Sequence, residues 1–174
     1  MSIFNRLFKI GQSQAHAVVD KFEDPIKMTE QGIRDLKKDL QQAMSSLAEV
    51  KGIAIRTRRD ADNQKKLAAD YERKAMLLLQ KMQKGNIDPA DAERLATEAL
   101  NKKEQAAGEA ARLAQEAQRH EQMSSQLQAN VNKIKSSVTA YENDLVTLRA
   151  RARTAQSTKK INQQLAKIDS SGTL

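Results

Sequence analysis

Apolar residues recur along this chain at alternating steps of three and four, in two long stretches separated by a short break. From Ile26 to Met82 there are 17 such positions and 14 are apolar, where an overall hydrophobic content of 39% would supply about seven. From Ala92 to Ala155, 16 of 19 are apolar. This spacing keeps a narrow stripe on one side of a helix, the arrangement of a coiled-coil seam. The stripes predict two helices, each of the order of 90 Å long at 1.5 Å per residue. Between them lies Lys84-Gly85-Asn86-Ile87-Asp88-Pro89. Gly85 and Asn86 suit the positive φ that closes a helix, and Asp88-Pro89 is an N-cap followed by a first-turn proline. So short a tip makes the helices antiparallel neighbours, with Ile33 near Tyr141 and Leu47 near Leu127. Both seams are alanine-rich near the tip, so that half buries less area per layer and is expected to be completed by other copies. Gly52 and Gly108 each lower helix propensity by about 1 kcal/mol relative to alanine.

A further amphipathic pattern precedes the first long stretch. On a helical wheel Phe4, Leu7, Phe8, Gly11, Ala15, Val18, Val19 and Phe22 share about a third of the circumference, with Arg6, Lys9, Ser13, His16 and Asp20 opposite. All three phenylalanines of the chain lie on this face. Residues 1–24 therefore predict an N-terminal amphipathic helix that lies in a membrane interface, with Ile3, Phe4, Arg6, Leu7, Phe8, Lys9, Val18, Val19, Lys21 and Phe22 as the candidate membrane-binding residues. Folding back onto the hairpin is the competing reading for the resting state. A signal peptide is disfavoured because Arg6 and Lys9 interrupt the apolar run it requires. At Glu23-Asp24-Pro25, Asp24 is the expected N-cap and Pro25 the expected first residue of the hairpin, which spans 25–156 with its tip at 84–89. Thr154 to Thr158 reads as a polar interruption. Beyond it, 157–174 is expected to form a short separate helix, with Ile161, Leu165 and Ile168 on one side, and a loop from Asp169.

Composition sharpens this picture. With 3% aromatic and 30% charged residues a thick globular core is hard to build, whereas a seam is not. The lack of cysteine excludes disulfides and thiolate metal sites and fits a reducing compartment. No apolar run approaches the roughly 20 residues of a membrane-spanning helix.

The net charge of +8 calls for an anionic partner. It divides into +6 over residues 1–87, −3 over 88–132 and +5 over 133–174, a pattern that favours helices stacking on helices. Arg56, Arg58 and Arg59 begin a basic track that continues through Lys65, Lys66, Arg73 and Lys74, and Arg149, Arg151, Arg153, Lys159 and Lys160 form a second; a solvated helix face is the competing reading of the first. The expected use of the first track is pairing between subunits with Glu104, Glu109, Glu116 and Glu121, and these residues together with Ile161, Leu165 and Ile168 form the candidate oligomer interface. Nucleic acid is disfavoured as a partner, because acids interleave with the basic residues and stacking aromatics are nearly absent.

No catalytic, cofactor-binding or metal site is expected, and the chain reads as a non-enzyme. A GxxxxGK[ST] loop is absent, His16 and His120 fall on different elements without clustered carboxylates, and no nucleophile–base pair stands out.

The opening Met-Ser-Ile-Phe-Asn-Arg-Leu-Phe, the Phe22-Glu23-Asp24-Pro25 junction, the long first helix, the Gly85-Asn86-Ile87-Asp88 tip and the Arg149-to-Arg153 stretch resemble the family of phage shock protein A and the vesicle-inducing protein in plastids. The similarity extends over essentially the whole chain. It implies an all-α, ESCRT-III-like fold: an N-terminal amphipathic helix, a long antiparallel coiled-coil hairpin and a short C-terminal helix. It further implies large homo-oligomers, as rings, rods or helical filaments, that bind, protect or remodel anionic phospholipid membranes under stress. The implied location is cytoplasmic, peripheral on the inner face of the bacterial inner membrane. The alternative it implies is a regulatory binding protein that restrains a AAA-type transcriptional activator. Nucleotide hydrolysis has been discussed for relatives, but no residues of this sequence carry it. Longer members continue past the position of Leu174 into a further helix.

Overall fold

The computed structural model of the chain describes residues 18–172, with side chains from Lys21 onward. Among these residues the fold is all-α: helix α1 spans Val18–Gln83 and helix α2 spans Pro89–Ser171, packed as a hairpin.

The tip closes as its residues dictate. The Gly85 N–H donates to the Met82 carbonyl at 3.1 Å and the Asn86 N–H to the Lys81 carbonyl at 2.9 Å, while Gly85 takes φ 71°. These two bonds, with a left-handed glycine between them and the helix, form a Schellman closure that satisfies carbonyls left over at the end of α1. Pro89 then opens α2, and the Asp88 carbonyl accepts the Ala92 N–H at 2.9 Å.

The helices contribute to two compact units, Met1–Gln42 with Asn132–Leu174, and Ala43–Val131. The second unit carries the tip and a seam of small residues. Ala54, Ala61, Ala68 and Ala75 are buried at seven-residue intervals on α1, and Ala92, Ala99, Ala106, Ala110 and Ala117 are buried on α2. Ala75, Ala96 and Ala99 cluster there with Leu78 packed against them. Thr57 and Ser124 are the buried polar residues of this seam. The first unit uses larger side chains: Ile33, Val138, Leu145 and Leu148 are buried, with Ile26, Leu36, Leu40 and Ile134 half-buried. The expected meeting of Ile33 with Tyr141 is found one position away. A Cβ on Gly32 would lie 3.8 Å from Cε1 of Tyr141, and the ring lies over this bare stretch of α1 while remaining 37% exposed.

Three expected boundaries are not where the sequence signals place them. Pro25 lies inside α1 rather than opening it. A proline costs a helix one backbone bond, here the one its N–H would have given to Lys21. The seam spacing continues across it through Phe22, Ile26 and Thr29, all half-buried, so side-chain burial holds the helix on both sides. Likewise α2 runs through Thr154–Thr158 without a break, and the expected separate C-terminal helix is its continuation. The hydroxyls of Thr154 and Thr158 donate to the carbonyls of Ala150 and Thr154, at 3.1 and 3.0 Å, instead of capping a new helix. In place of a loop at Asp169, the Ser170 and Ser171 hydroxyls donate to Lys167 and Ile168 carbonyls and the helix reaches Ser171.

The glycines give a direct stability test. A Cβ at Gly52 or at Gly108 would meet nothing within 4 Å, so Gly52→Ala and Gly108→Ala should each stabilise the chain by up to about 1 kcal/mol in urea unfolding. Gly85→Ala, which forces a side chain into positive φ, should destabilise it by about 1 kcal/mol. Equal effects at the three sites would contradict this assignment of their roles.

Candidate functional site

Two surfaces carry chemistry. The first lies in the unit that contains Phe22. An open groove of about 570 Å³ runs beside that ring, lined on α2 by Val146, Ala150, Arg151, Thr154, Ala155 and Lys159 among others. Steps of three, four and five along a helix put these residues on one broad face. The walls are largely apolar, and Val146 is 67% exposed. From Leu145 to Ile168 the sequence has six basic residues, Arg149, Arg151, Arg153, Lys159, Lys160 and Lys167, and no acidic one. Arg149 donates to Glu30 of α1 at 2.8 Å, which ties the two helices together beside the groove. The result is an apolar trough in a strongly positive surface, the combination that suits the boundary between anionic headgroups and acyl chains.

The second surface is the charged flank of the tip unit. Arg58 donates to Glu121 through Nε and Nη2, both at 3.0 Å, a two-pronged pair across the hairpin. Lys51 reaches Gln128 at 3.2 Å and Lys103 reaches Glu72 at 3.0 Å. Along α2, Arg112 donates to Glu109 at 3.0 Å and to Glu116 at 3.2 Å, and Glu116 lies 3.8 Å from His120. The hydrogen bonds from Arg58 hold the Glu121 carboxyl below its ordinary value, and those from Arg112 do the same for Glu109.

Several residues expected to pair between subunits therefore have partners within the chain: Arg58, Glu109, Glu116 and Glu121. Arg56, Arg59 and Glu104 are exposed and form no ion pair among the described residues. Ile161, Leu165 and Ile168 are each more than half exposed. Of the expected membrane-binding residues, Ile3, Phe4, Arg6, Leu7, Phe8 and Lys9 lie outside the described residues. Val18 and Val19 begin α1 but their side chains are outside the description, Lys21 is exposed and Phe22 is half-buried.

Sequence reasoning singled out Arg151 and Lys159 as basic residues but missed that this face of α2 lines a groove beside Phe22. The signal was present: carrying the antiparallel register eleven residues beyond Ile33 and Tyr141 brings Phe22 beside Ala152, in the middle of the basic stretch. Among the described residues no helix is long and apolar enough to cross a membrane, and no group of three or more His, Cys, Asp or Glu could hold a metal ion.

The chain matches the model of the PspA/IM30 family over residues 2–174. It is 30% identical over 169 residues to a phage shock protein A homolog from Deinococcus radiodurans, covering 94% of this chain and 69% of that protein. It is 27% identical over 173 residues to the chloroplastic membrane-associated protein VIPP1 of Oryza sativa subsp. japonica, covering 99% and 52% respectively. With the membrane-associated protein Vipp1 of a Synechocystis strain the identity is 26% over 171 residues, covering 98% and 61%. The chain thus spans about half the length of the plant relative and more of the bacterial ones.

An all-helical hairpin closed by a tight tip and packed along a seam of small residues defines a protein of the coiled-coil class. Within that class, the chain belongs to the PspA/IM30 family.

The Arg58–Glu121 pair predicts a pH dependence. Because the folded-state carboxyl is held low, the pair contributes fully above the ordinary carboxylate range and its contribution is lost as pH falls through the depressed value. In an NMR titration Glu121 should protonate at lower pH than an unperturbed glutamate, and Arg58→Ala should return it toward the ordinary value. An unchanged titration in that variant would show that the pair is not formed in solution.

Proposed function

We propose that this chain is a peripheral membrane protein that grips anionic bilayers through its N-terminal segment and acts as a large homo-oligomer, protecting or remodelling the membrane it covers. The observation that carries this reading is the acid-free basic stretch of α2 beside Phe22, at the end of α1 where the apolar N-terminal segment joins. In this reading residues 1–24 form the anchor, with Phe4, Leu7, Phe8 and Phe22 entering the headgroup boundary and Arg6, Lys9 and Lys21 meeting lipid phosphates.

The energetics favour many weak anchors over one strong one. Each basic side chain near an anionic surface contributes about 1 kcal/mol, so Arg6, Lys9 and Lys21 together contribute about 3 kcal/mol. Apolar insertion adds to this, and ordering the segment opposes it. A single anchor of that strength binds reversibly, whereas anchors held side by side on an oligomer bind tightly through effective concentration. Arg56 and Arg59 on one helix and Glu104 on the other are among the exposed charges that form no ion pair within the described hairpin, and with the exposed Ile161, Leu165 and Ile168 they are available to join copies. The bacterial inner membrane is the proposed site of action, in line with the bacterial relatives.

Two experiments test the reading. Phe4→Glu or Leu7→Glu should weaken co-sedimentation with vesicles containing phosphatidylglycerol by about tenfold or more, since each change removes the burial of a large apolar side chain. Binding that survives both would remove the anchor from residues 1–24. Reversing Arg56 and Arg59 to glutamate should leave helical content intact in circular dichroism while dissolving oligomers seen by negative-stain microscopy. Oligomers of unchanged abundance would place the contact elsewhere.

A further inference from the structure

We infer that in the membrane-free chain the N-terminal segment folds back and seats Phe4, Leu7 and Phe8 in the groove between Phe22 and α2, so that the side chains that grip the bilayer are covered until a bilayer competes for them. The inference rests on the anchor reading above and adds its regulation.

Position argues for it first. The chain enters α1 at Val18, about one helical turn ahead of Phe22, which forms one wall of the groove. The preceding 17 residues are therefore tethered at its mouth, at an effective concentration on the order of millimolar. In dilute solution that exceeds the bulk concentration of other copies, which favours the segment of the same chain; a neighbour's segment within an oligomer is the alternative that the crosslink below separates.

Length agrees. The groove residues of α2 from Val146 to Lys159 cover about 20 Å along the helix, while residues 3–10 as a helix need only about 11 Å. Residues 11–17 remain to reverse direction, beginning with Gly11-Gln12-Ser13-Gln14, a stretch suited to a turn.

The chemistry fits as well. Phe4, Leu7 and Phe8 stand at i, i+3 and i+4, one apolar ridge on a helix. The groove offers a complementary floor, with the small Ala150 and Ala155 leaving about 570 Å³ open beside Phe22, and with Val146 uncovered by the described residues. Charge makes the seat releasable. Arg151 and Lys159 line the groove, and Arg6 and Lys9 on the segment have the same sign, so repulsion works against the apolar contact. An anionic bilayer attracts both sets of cations and offers the ridge a larger apolar phase, and so it opens the latch.

The chain has no cysteine, which permits a clean crosslinking test. With Asn5→Cys and Thr147→Cys in one chain, a short bismaleimide should give mainly an internally crosslinked monomer in dilute, vesicle-free solution. Vesicles containing phosphatidylglycerol should lower that yield severalfold. A yield no higher than that of an Asn5→Cys, Leu100→Cys control overturns the proposal, and so does a crosslinked dimer, which would put a neighbour's segment in the groove. In an otherwise unaltered chain, Ala150→Glu should raise vesicle affinity by about threefold or more, although it adds an acid to the basic stretch. Unchanged or weaker affinity counts against the latch. The crosslink in vesicle-free solution is read without lipid, so a chain that crosslinks as expected yet ignores vesicles would sink the anchor reading alone.

Discussion

The interaction on which the rest depends is the close approach of two helices along a seam of small residues. Alanines spaced by seven on α1 face alanines of similar spacing on α2, and their burial lets the backbones come nearer than leucine layers would allow. The gain in apolar area per layer is modest, and Val131 is the one large side chain among the described residues that is fully buried. Such a seam fixes little by shape alone. Register is set instead by pairs that cross it: Arg58 with Glu121, Lys103 with Glu72, and, in the other unit, Lys37 with Glu142 at 3.0 Å and Arg149 with Glu30. Exposed pairs contribute little energy each, but a register slip would break all of those in its unit at once.

Much of this was legible in the sequence because a seam is periodic. Every 3,4-spaced position assigned on α1 from Ile26 to Met82 is buried or half-buried, and on α2 Tyr141 alone of those assigned is exposed. The tip was legible too, since the Gly85-Asn86 closure and the Pro89 start are local backbone chemistry that no distant contact needs to override. The helix boundaries were not. Pro25, Thr154 and Thr158 are local breakers, and local breakers lose when side chains on both sides are held by the partner helix or when a hydroxyl finds the carbonyl four residues back. The groove was harder still, because its walls come from residues more than a hundred positions apart and only the hairpin register brings them together.

The proposed role needs no membrane-spanning helix, and none is found among the described residues. The apolar residues proposed to hold a bilayer are concentrated in a short stretch of sequence that precedes Lys21, and cations gather on the stretch of α2 beside Phe22. The hairpin that carries them is held by its seam and by pairs that cross it, Arg149 with Glu30 among them. Ion pairs inside the hairpin engage part of its charge, with Arg58, Lys103 and Arg112 among the paired basic residues, and many exposed charges remain outside such pairs, Arg56, Arg59 and Glu104 among them. Charges spread in this way suit weak, repeated contacts, each easily reversed and strong only in number.

The most direct test is the depth of residue 8 in a bilayer. With Phe8→Cys carrying a spin label, paramagnetic quenching in vesicles containing phosphatidylglycerol should place the label about 5–10 Å inside the headgroup boundary, while a label at Arg56→Cys stays in water. A label at position 8 that remains fully accessible to aqueous quenchers on vesicle-bound protein would contradict the account at its centre.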